Sequence, residues 1–380
     1  MIKFAKPQLH PDAYKNVNEV MVSGVFVHGK FSRLFEEKFK EKFRYKNATT
    51  VSNATTGLQL SHFLLGRNID PQKNEVLCPA MSHVATAHAI EMLGLKPIFV
   101  DANLSDGNID VSKLEGVNLE RVRGMTYVHF NGVPADVKTL TSFCKDHGLY
   151  SVEDCAISLG ASVDSIPVGL WGDIGAFSFH PVKQLTTGEG GMVVSKYDEN
   201  ITKISRIKAF GVDQGFNERK IPGVYNVDSV GTNNRMAELP AAIGYGQLNS
   251  IEQDLKIREK NFNILKKSIG SENLPLKILG GNTNHTRAYY NLIVIIDEKA
   301  KKDRNEVILA LKNLGLECSV YYPHPIPRLK YYQDKYGYDE KQFKNSVIIS
   351  DRSFTIPIGP HLTDSDLSKI INLLTKVFKK

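Results

Sequence analysis

The first feature of this sequence with chemical content is a lysine followed closely by glycines. Lys183 lies in a polar turn within Gly175–Val194, GAFSFHPVKQLTTGEGGMVV, between two apolar runs. A lysine in such a turn is ordinarily solvated. Here Gly188, Gly190 and Gly191 imply tight or unusual backbone, and the preceding FSF implies burial up to the turn. An amine held in a crevice at a strand end can have its pKa lowered and form a Schiff base with a carbonyl. The second feature is Asp154, near the end of the apolar run YSVEDC. The third is Ser52-Asn53-Ala54-Thr55-Thr56, just before the helical GLQLSHFLLG. Small polar residues opening a helix make an N-cap, and they also leave backbone N–H groups free for a phosphate.

These residues need a scaffold, and the patterning supplies one. Strand-like runs at Glu75–Pro79, Pro97–Asp101, Met125–Phe130, Tyr150–Cys155, Ile174–His180 and Gly191–Ser195 frame helical stretches at Val84–Leu93 and from Asp136 to about His147. A further helix is expected over Ile201–Phe210. Strands alternating with helices predict βαβ units and a mostly parallel sheet. Ligands bind beyond the carboxyl ends of such strands, where Asp154 falls. Residues 212–235 have no period, and a loop of that length is usually functional or meets a partner. A long helix, with or without a break, is expected from Ala237 toward Ser268. A strand in RAYYNLIVII, a helix in DRNEVILALKNLG and a strand in LECSVYY predict a second α/β region. Thr363 is placed to cap a terminal helix from Asp364. We expect a large unit over 1–250 and a smaller one over 251–380.

Composition narrows the function classes. The 380 residues are 42% hydrophobic and 23% charged, a globular balance. The net charge is +7, but the basic residues are spread along the chain, without zinc-finger spacing or an arginine-rich run. Nucleic acid is therefore not expected as a partner. Cys78, Cys144, Cys155 and Cys318 form no C-x-x-C pair, and His83 and His88 are five apart, so no metal site is expected. No membrane span is visible. The opening MIKFAKPQLHPDAYKNVNEV has no apolar signal-peptide core, which gives an expectation of a cytoplasmic protein.

A Schiff-base lysine, an aspartate for a pyridinium nitrogen and a helix N-terminus for a phosphate are together the requirements of pyridoxal 5′-phosphate (PLP). At this point the sequence resembles the DegT/DnrJ/StrS sugar aminotransferases, of aspartate-aminotransferase-like fold type I. SNATTGLQL resembles the family's phosphate loop and PAMSHVATAHAI its ring-stacking segment. VEDCAISLGA resembles the aspartate motif, and FSFHPVKQLTTGEGG, the most specific piece, the lysine motif. GTNNRMAELPAAIGYGQL resembles the segment that reaches a neighbouring subunit, and TIPIGPHLTDSDL the family's ending.

The resemblance implies an α/β fold: a large domain with a mostly parallel seven-stranded sheet flanked by helices, plus a smaller C-terminal α/β domain. It implies that Lys183 forms the Schiff base and Asp154 keeps the pyridine nitrogen protonated. Ala54 and Thr55 would bind the phosphate through amides and a hydroxyl, with Ser178 adding its own hydroxyl. Asn233 would reach the same phosphate from the second chain of a homodimer, and His83 would stack on the ring. Three positions depart from the family pattern: Ala54 replaces a common Gly, Ile157 a Gln or His, and His83 an aromatic residue. The implied reaction takes an amino group from L-glutamate, leaves pyridoxamine phosphate as intermediate, and aminates a keto sugar. That sugar is expected to be a nucleotide-linked 4-keto-6-deoxy sugar for surface polysaccharide or a related glycan. Amination at carbon 4 is preferred because Thr186–Gly191, TTGEGG, resembles the 4-keto branch. The alternatives are a PLP-dependent sugar dehydratase, whose branch carries His in place of the lysine, and a non-catalytic homologue with a regulatory role.

Overall fold

A computed structural model describes residues 1–213, 219–281 and 283–379. Residues 214–218, part of the aperiodic stretch, lie outside it. Two helices open the chain, α1 (Pro11–Ser23) and α2 (Lys30–Phe43). Then β1 (Asn47–Val51) leads into α3 (Ala54–Gly66), β2 (Glu75–Pro79) into α4 (Val84–Glu91), and β3 (Lys96–Val100) follows. Next come β4 (Val122–Val128), α5 (Val137–Asp146) and β5 (Tyr150–Asp154). After the short pair β6 (Ser162–Val163) and β7 (Ile166–Pro167) stand β8 (Ile174–Ser178), β9 (Gly191–Ser195) and α6 (Asp198–Ile207).

One seven-stranded sheet has the order β1-β9-β8-β5-β4-β2-β3. All its neighbours pair in parallel except at β9, which is antiparallel to both β8 and β1. Six strands therefore point one way, and their carboxyl ends form one edge. Strands β4, β5 and β9 are buried at every residue, as expected for a sheet covered on both faces. On one face Phe35, Phe39, Tyr45, Phe177 and Phe179 form an aromatic core with the apolar side of α2. Tyr45 Oη donates to the Val168 carbonyl at 2.7 Å, so its polar end is satisfied.

The rest of the chain runs through α7 (Glu238–Gln247), α8 (Ile251–Ser271), β10 (Leu276–Ile278), β11 (Leu292–Ile296) and α9 (Arg304–Asn313). It ends with α10 (Lys330–Tyr336), α11 (Lys344–Arg352), β12 (Ser353–Ile356) and α12 (Asp364–Phe378). Here a three-stranded antiparallel sheet, β10-β11-β12, packs Leu292, Val294, Phe354 and Ile356 with Leu311, Leu367 and Ile370. Ile2 joins this core, its N–H bonded to the Gly315 carbonyl at 2.7 Å. The expected helix from Ala237 is two helices, interrupted over residues 248–250. The cap at Thr363 is a full capping box with Asp366.

The strand expected in LECSVYY is not formed. Ser319 makes only an isolated bridge to Thr355, and the third strand is β12. The prolines at 323, 325 and 327 cannot extend a ladder, and Tyr322 packs against His83 and Phe130 beside the large sheet instead.

Candidate active site

The carboxyl edge of the large sheet collects the chemistry. Asp154 ends β5 and Ser178 ends β8; Asp154 pairs with Ala176, so Ser178 projects two residues, about 7 Å, further. Asp154 is buried, and both carboxylate oxygens accept hydrogen bonds. The Thr86 hydroxyl donates to Oδ2 at 2.7 Å and the Ala156 N–H to Oδ1 at 3.0 Å. The Thr86 hydroxyl is in turn 2.7 Å from that of Ser82. This chain of hydroxyls fixes the carboxylate while leaving it acceptor capacity.

Lys183 follows β8 in a turn whose N–H bonds back to the His180 carbonyl at 2.9 Å. The neighbouring Gln184 pins that turn, its Nε2 donating to the carbonyls of Ile157 and Ala288, each at 3.3 Å. The TTGEGG segment then folds on itself. The Thr187 N–H and Thr186 hydroxyl bond the Phe179 carbonyl, and Gly188 takes φ +81°. Among the described residues the Lys183 amine has no hydrogen-bond acceptor; it lies 5.2 Å from the ring centroid of Tyr290. Burial pulls its pKa from 10.5 to about 8, against the attraction of Asp154 and Glu189.

The start of α3 lies beside this turn. Asn53 caps the helix, its side chain accepting from Thr56 N–H at 2.9 Å. The amides of Ala54 and Thr55 have no acceptor among the described residues, and both open a helix. Gly191 lets β9 press against this terminus: a Cβ there would stand 2.9 Å from the Ala54 nitrogen and 2.8 Å from the Asn53 carbonyl carbon. His83 caps α4, its Nδ1 accepting from Ala85 N–H at 3.1 Å, and its ring meets Tyr322 edge-on at 5.5 Å. Its pKa is lowered by the surrounding protein and then by the nearby Lys183 ammonium.

Lys183, Asp154 and His83 are therefore mutually within electrostatic reach, with Ser178 and the α3 terminus on the same edge. Asn233 is not among them. It is exposed and bridges Ala209 through its backbone, while the adjacent Asn234 carbonyl accepts from Ser52 N–H at 2.9 Å. Ile157 is buried and offers its carbonyl, not a side-chain donor. Sequence reasoning missed Thr86, Ser82, Gln184 and Tyr290. Each reads as an ordinary member of a helix, turn or strand pattern, and only the fold brings them to Asp154 or Lys183.

Other candidates carry less. His129, Glu153 and Cys155 are the metal-like group among the described residues. Glu153 already accepts from His129 and from the amides of Gly169, Trp171 and Gly172, so it is a filled structural network. Burial pushes the Cys155 thiol well up, which makes it a poor nucleophile. A cavity of about 650 Å³ lies beside Phe210 and Arg235, lined by neither Lys183 nor Asp154.

Comparison with known proteins now decides the family. The model of the DegT/DnrJ/EryC1/StrS aminotransferase family matches residues 7–375. The chain belongs to this family. It is 31% identical to GDP-perosamine synthase of Vibrio cholerae, over 100% of this chain and 99% of that protein. Helicobacter pylori PseC, an aminotransferase involved in the biosynthesis of pseudoaminic acid, is 25% identical with a TM-score of 0.92, covering 100% and 99% of the two chains. The PLP form of Spr1654 from Streptococcus pneumoniae, a sugar aminotransferase by description, shares the fold with a TM-score of 0.89 at 22% identity, over 100% and 98%. The chain is thus an aminotransferase with the PLP fold type I architecture. No helix of the described residues is long and apolar enough to cross a membrane.

Proposed function

We propose that this chain uses PLP to transfer an amino group from L-glutamate to a nucleotide-linked 4-keto-6-deoxy sugar, in the cytoplasm, for surface polysaccharide or a related glycan. The observation that carries the reading is the half-buried Lys183 amine, without a hydrogen-bond acceptor among the described residues and within electrostatic reach of Asp154. The residues fit the cofactor. The amides of Ala54 and Thr55, with the hydroxyls of Thr55 and Ser178, would hold its phosphate. Asp154 would face its ring nitrogen and His83 its ring. When bound, PLP supplies an electron sink for the carbanion formed at the amino carbon.

The chain's own residues then divide the work. Asp154, fixed by Thr86 and Ala156, keeps the proton on the ring nitrogen. Lys183 would hold the cofactor covalently, and its free amine would move the proton at the amino carbon as general base and acid. Its lowered pKa suits that exchange near neutrality. We read residues 1–250 as the cofactor-binding unit and 251–380 as the smaller unit.

Two chains would complete each site in a homodimer, with Asn233 serving its neighbour's phosphate. In support, Val25, Phe26 and Val27 are exposed together with Phe210, Ile221, Val224, Tyr225, Val227 and Val230. So much exposed apolar side chain in neighbouring sequence marks an interaction surface.

The test is to add PLP to the purified protein, reduce with borohydride and locate the modified peptide by mass spectrometry. The cofactor should be found on Lys183. Attachment to another lysine, or none, would overturn the reading.

A further inference from the structure

Lys183 is a reactive amine lying over a ring, and that contact comes from the other end of the chain. Tyr290 precedes β11, in the smaller α/β region, and is buried. Its ring centroid lies 5.2 Å from the Lys183 amine. Two contacts hold that ring and a third holds its backbone. Its hydroxyl is 3.0 Å from the Tyr321 hydroxyl, the two rings meet at 87° with centroids 5.6 Å apart, and Arg258 donates to its carbonyl at 3.1 Å. The ring is therefore a fixed surface, while the amine above it makes no hydrogen bond among the described residues.

We propose that Tyr290 is a positioning residue for Lys183, its ring face being the resting platform of the ammonium when the amine is not attached to cofactor. The inference rests on Lys183 being the Schiff-base lysine. The physical reason is the choice of partner. A carboxylate in contact would fix the proton on the amine and resist its departure. An aromatic face attracts the ammonium through its quadrupole, keeps it in place, and exerts no directional hold on the neutral amine that must react.

Other charges also act on this amine. Asp154, at the end of β5, and Glu189, in the following turn, favour the ammonium, while His83, capping α4, lies close enough to sense it. On the far side Lys183 shares a narrow cleft with Lys6, Asp254, Arg258 and His361. The platform must therefore be tested by changing the ring and leaving these groups alone.

The experiment measures the Lys183 pKa in cofactor-free protein by NMR of ¹³C-methylated lysines, with the resonance assigned by its loss in Lys183→Arg. Tyr290→Phe keeps the face and should leave the pKa within a few tenths of a unit. Tyr290→Leu keeps apolar bulk and removes the face, and should lower the pKa by roughly half a unit to one and a half units. Fluorinated phenylalanines at 290 preserve the ring shape and guard against misfolding of the Leu variant; they should lower the pKa stepwise with fluorine number. A flat fluorine series, or equal shifts in the Phe and Leu variants, would overturn the proposal. Cofactor capture by the same proteins separates the two claims. Loss of the visible band in Lys183→Ala upholds the Schiff-base assignment whatever the Tyr290 series does, and persistence of that band overturns the assignment and this proposal with it.

Discussion

At the scale of single residues, burial sets the protonation of Lys183. An ordinary lysine with a pKa of 10.5 is uncharged in roughly one molecule in 300 at pH 8, whereas at a pKa of about 8 half the amines are free. The neutral amine is the nucleophile. Cofactor capture should thus rise about tenfold per pH unit below 8 and level off above it, measured as the rate of growth of the visible band. A profile still climbing at pH 10 would mean that Lys183 is not desolvated. Lys183→Ala and Lys183→Arg should both lack the band and transamination, since a guanidinium stays protonated. Asp154→Asn should keep the fold and lose roughly two to three orders of magnitude in turnover, the scale of losing a charged catalytic partner. The residues named at this scale were legible where a motif isolates them: Lys183 between a buried run and glycines, Asp154 at a strand end. Thr86 was not, because a hydroxyl inside VATAHAI carries no mark of the strand it will bond.

At the scale of elements, the sheet edge and one helix terminus must meet closely. Gly191 permits this, since any side chain would press on the backbone of Asn53 and Ala54. Gly191→Ala should therefore weaken PLP binding about tenfold, comparable to losing one charge-assisted hydrogen bond, with secondary structure retained. Titration by fluorescence checks this; unchanged affinity would show that the amides of α3 do not hold the phosphate. Six strands of this sheet were readable within a few residues because they are short, apolar and bounded by turns; β1, with the sequence NATTV, is too polar to stand out. The small sheet was harder. LECSVYY has strand composition, but its continuation into three prolines diverts it, while SFTI follows α11 without a break and hides its strand. The opening helices α1 and α2 were not read at all, although Phe31, Phe35 and Phe39 recur at helical spacing.

At the scale of the molecule, the exposed apolar residues at 25–27 and 221–230 should be covered by a second copy. Sedimentation should give a dimer, and Val224→Asp should shift it toward monomer while lowering activity, because each site would lose its neighbour's Asn233. Full activity in a monomer at high dilution would contradict shared sites. The alternation of strands and helices and the mostly parallel sheet followed from the patterning, whereas its seven strands followed from motif resemblance. The assembly could be inferred only from motif resemblance, since exposure is not visible in a linear sequence. The central claim is amino transfer to carbon 4 of a keto sugar. Its most direct test supplies ¹⁵N-labelled L-glutamate with matched 3-keto and 4-keto nucleotide sugars and locates the label by NMR. The expected result is 2-oxoglutarate release and ¹⁵N at carbon 4; label at carbon 3, turnover only with a free sugar, or no transfer to either sugar would overturn the assignment.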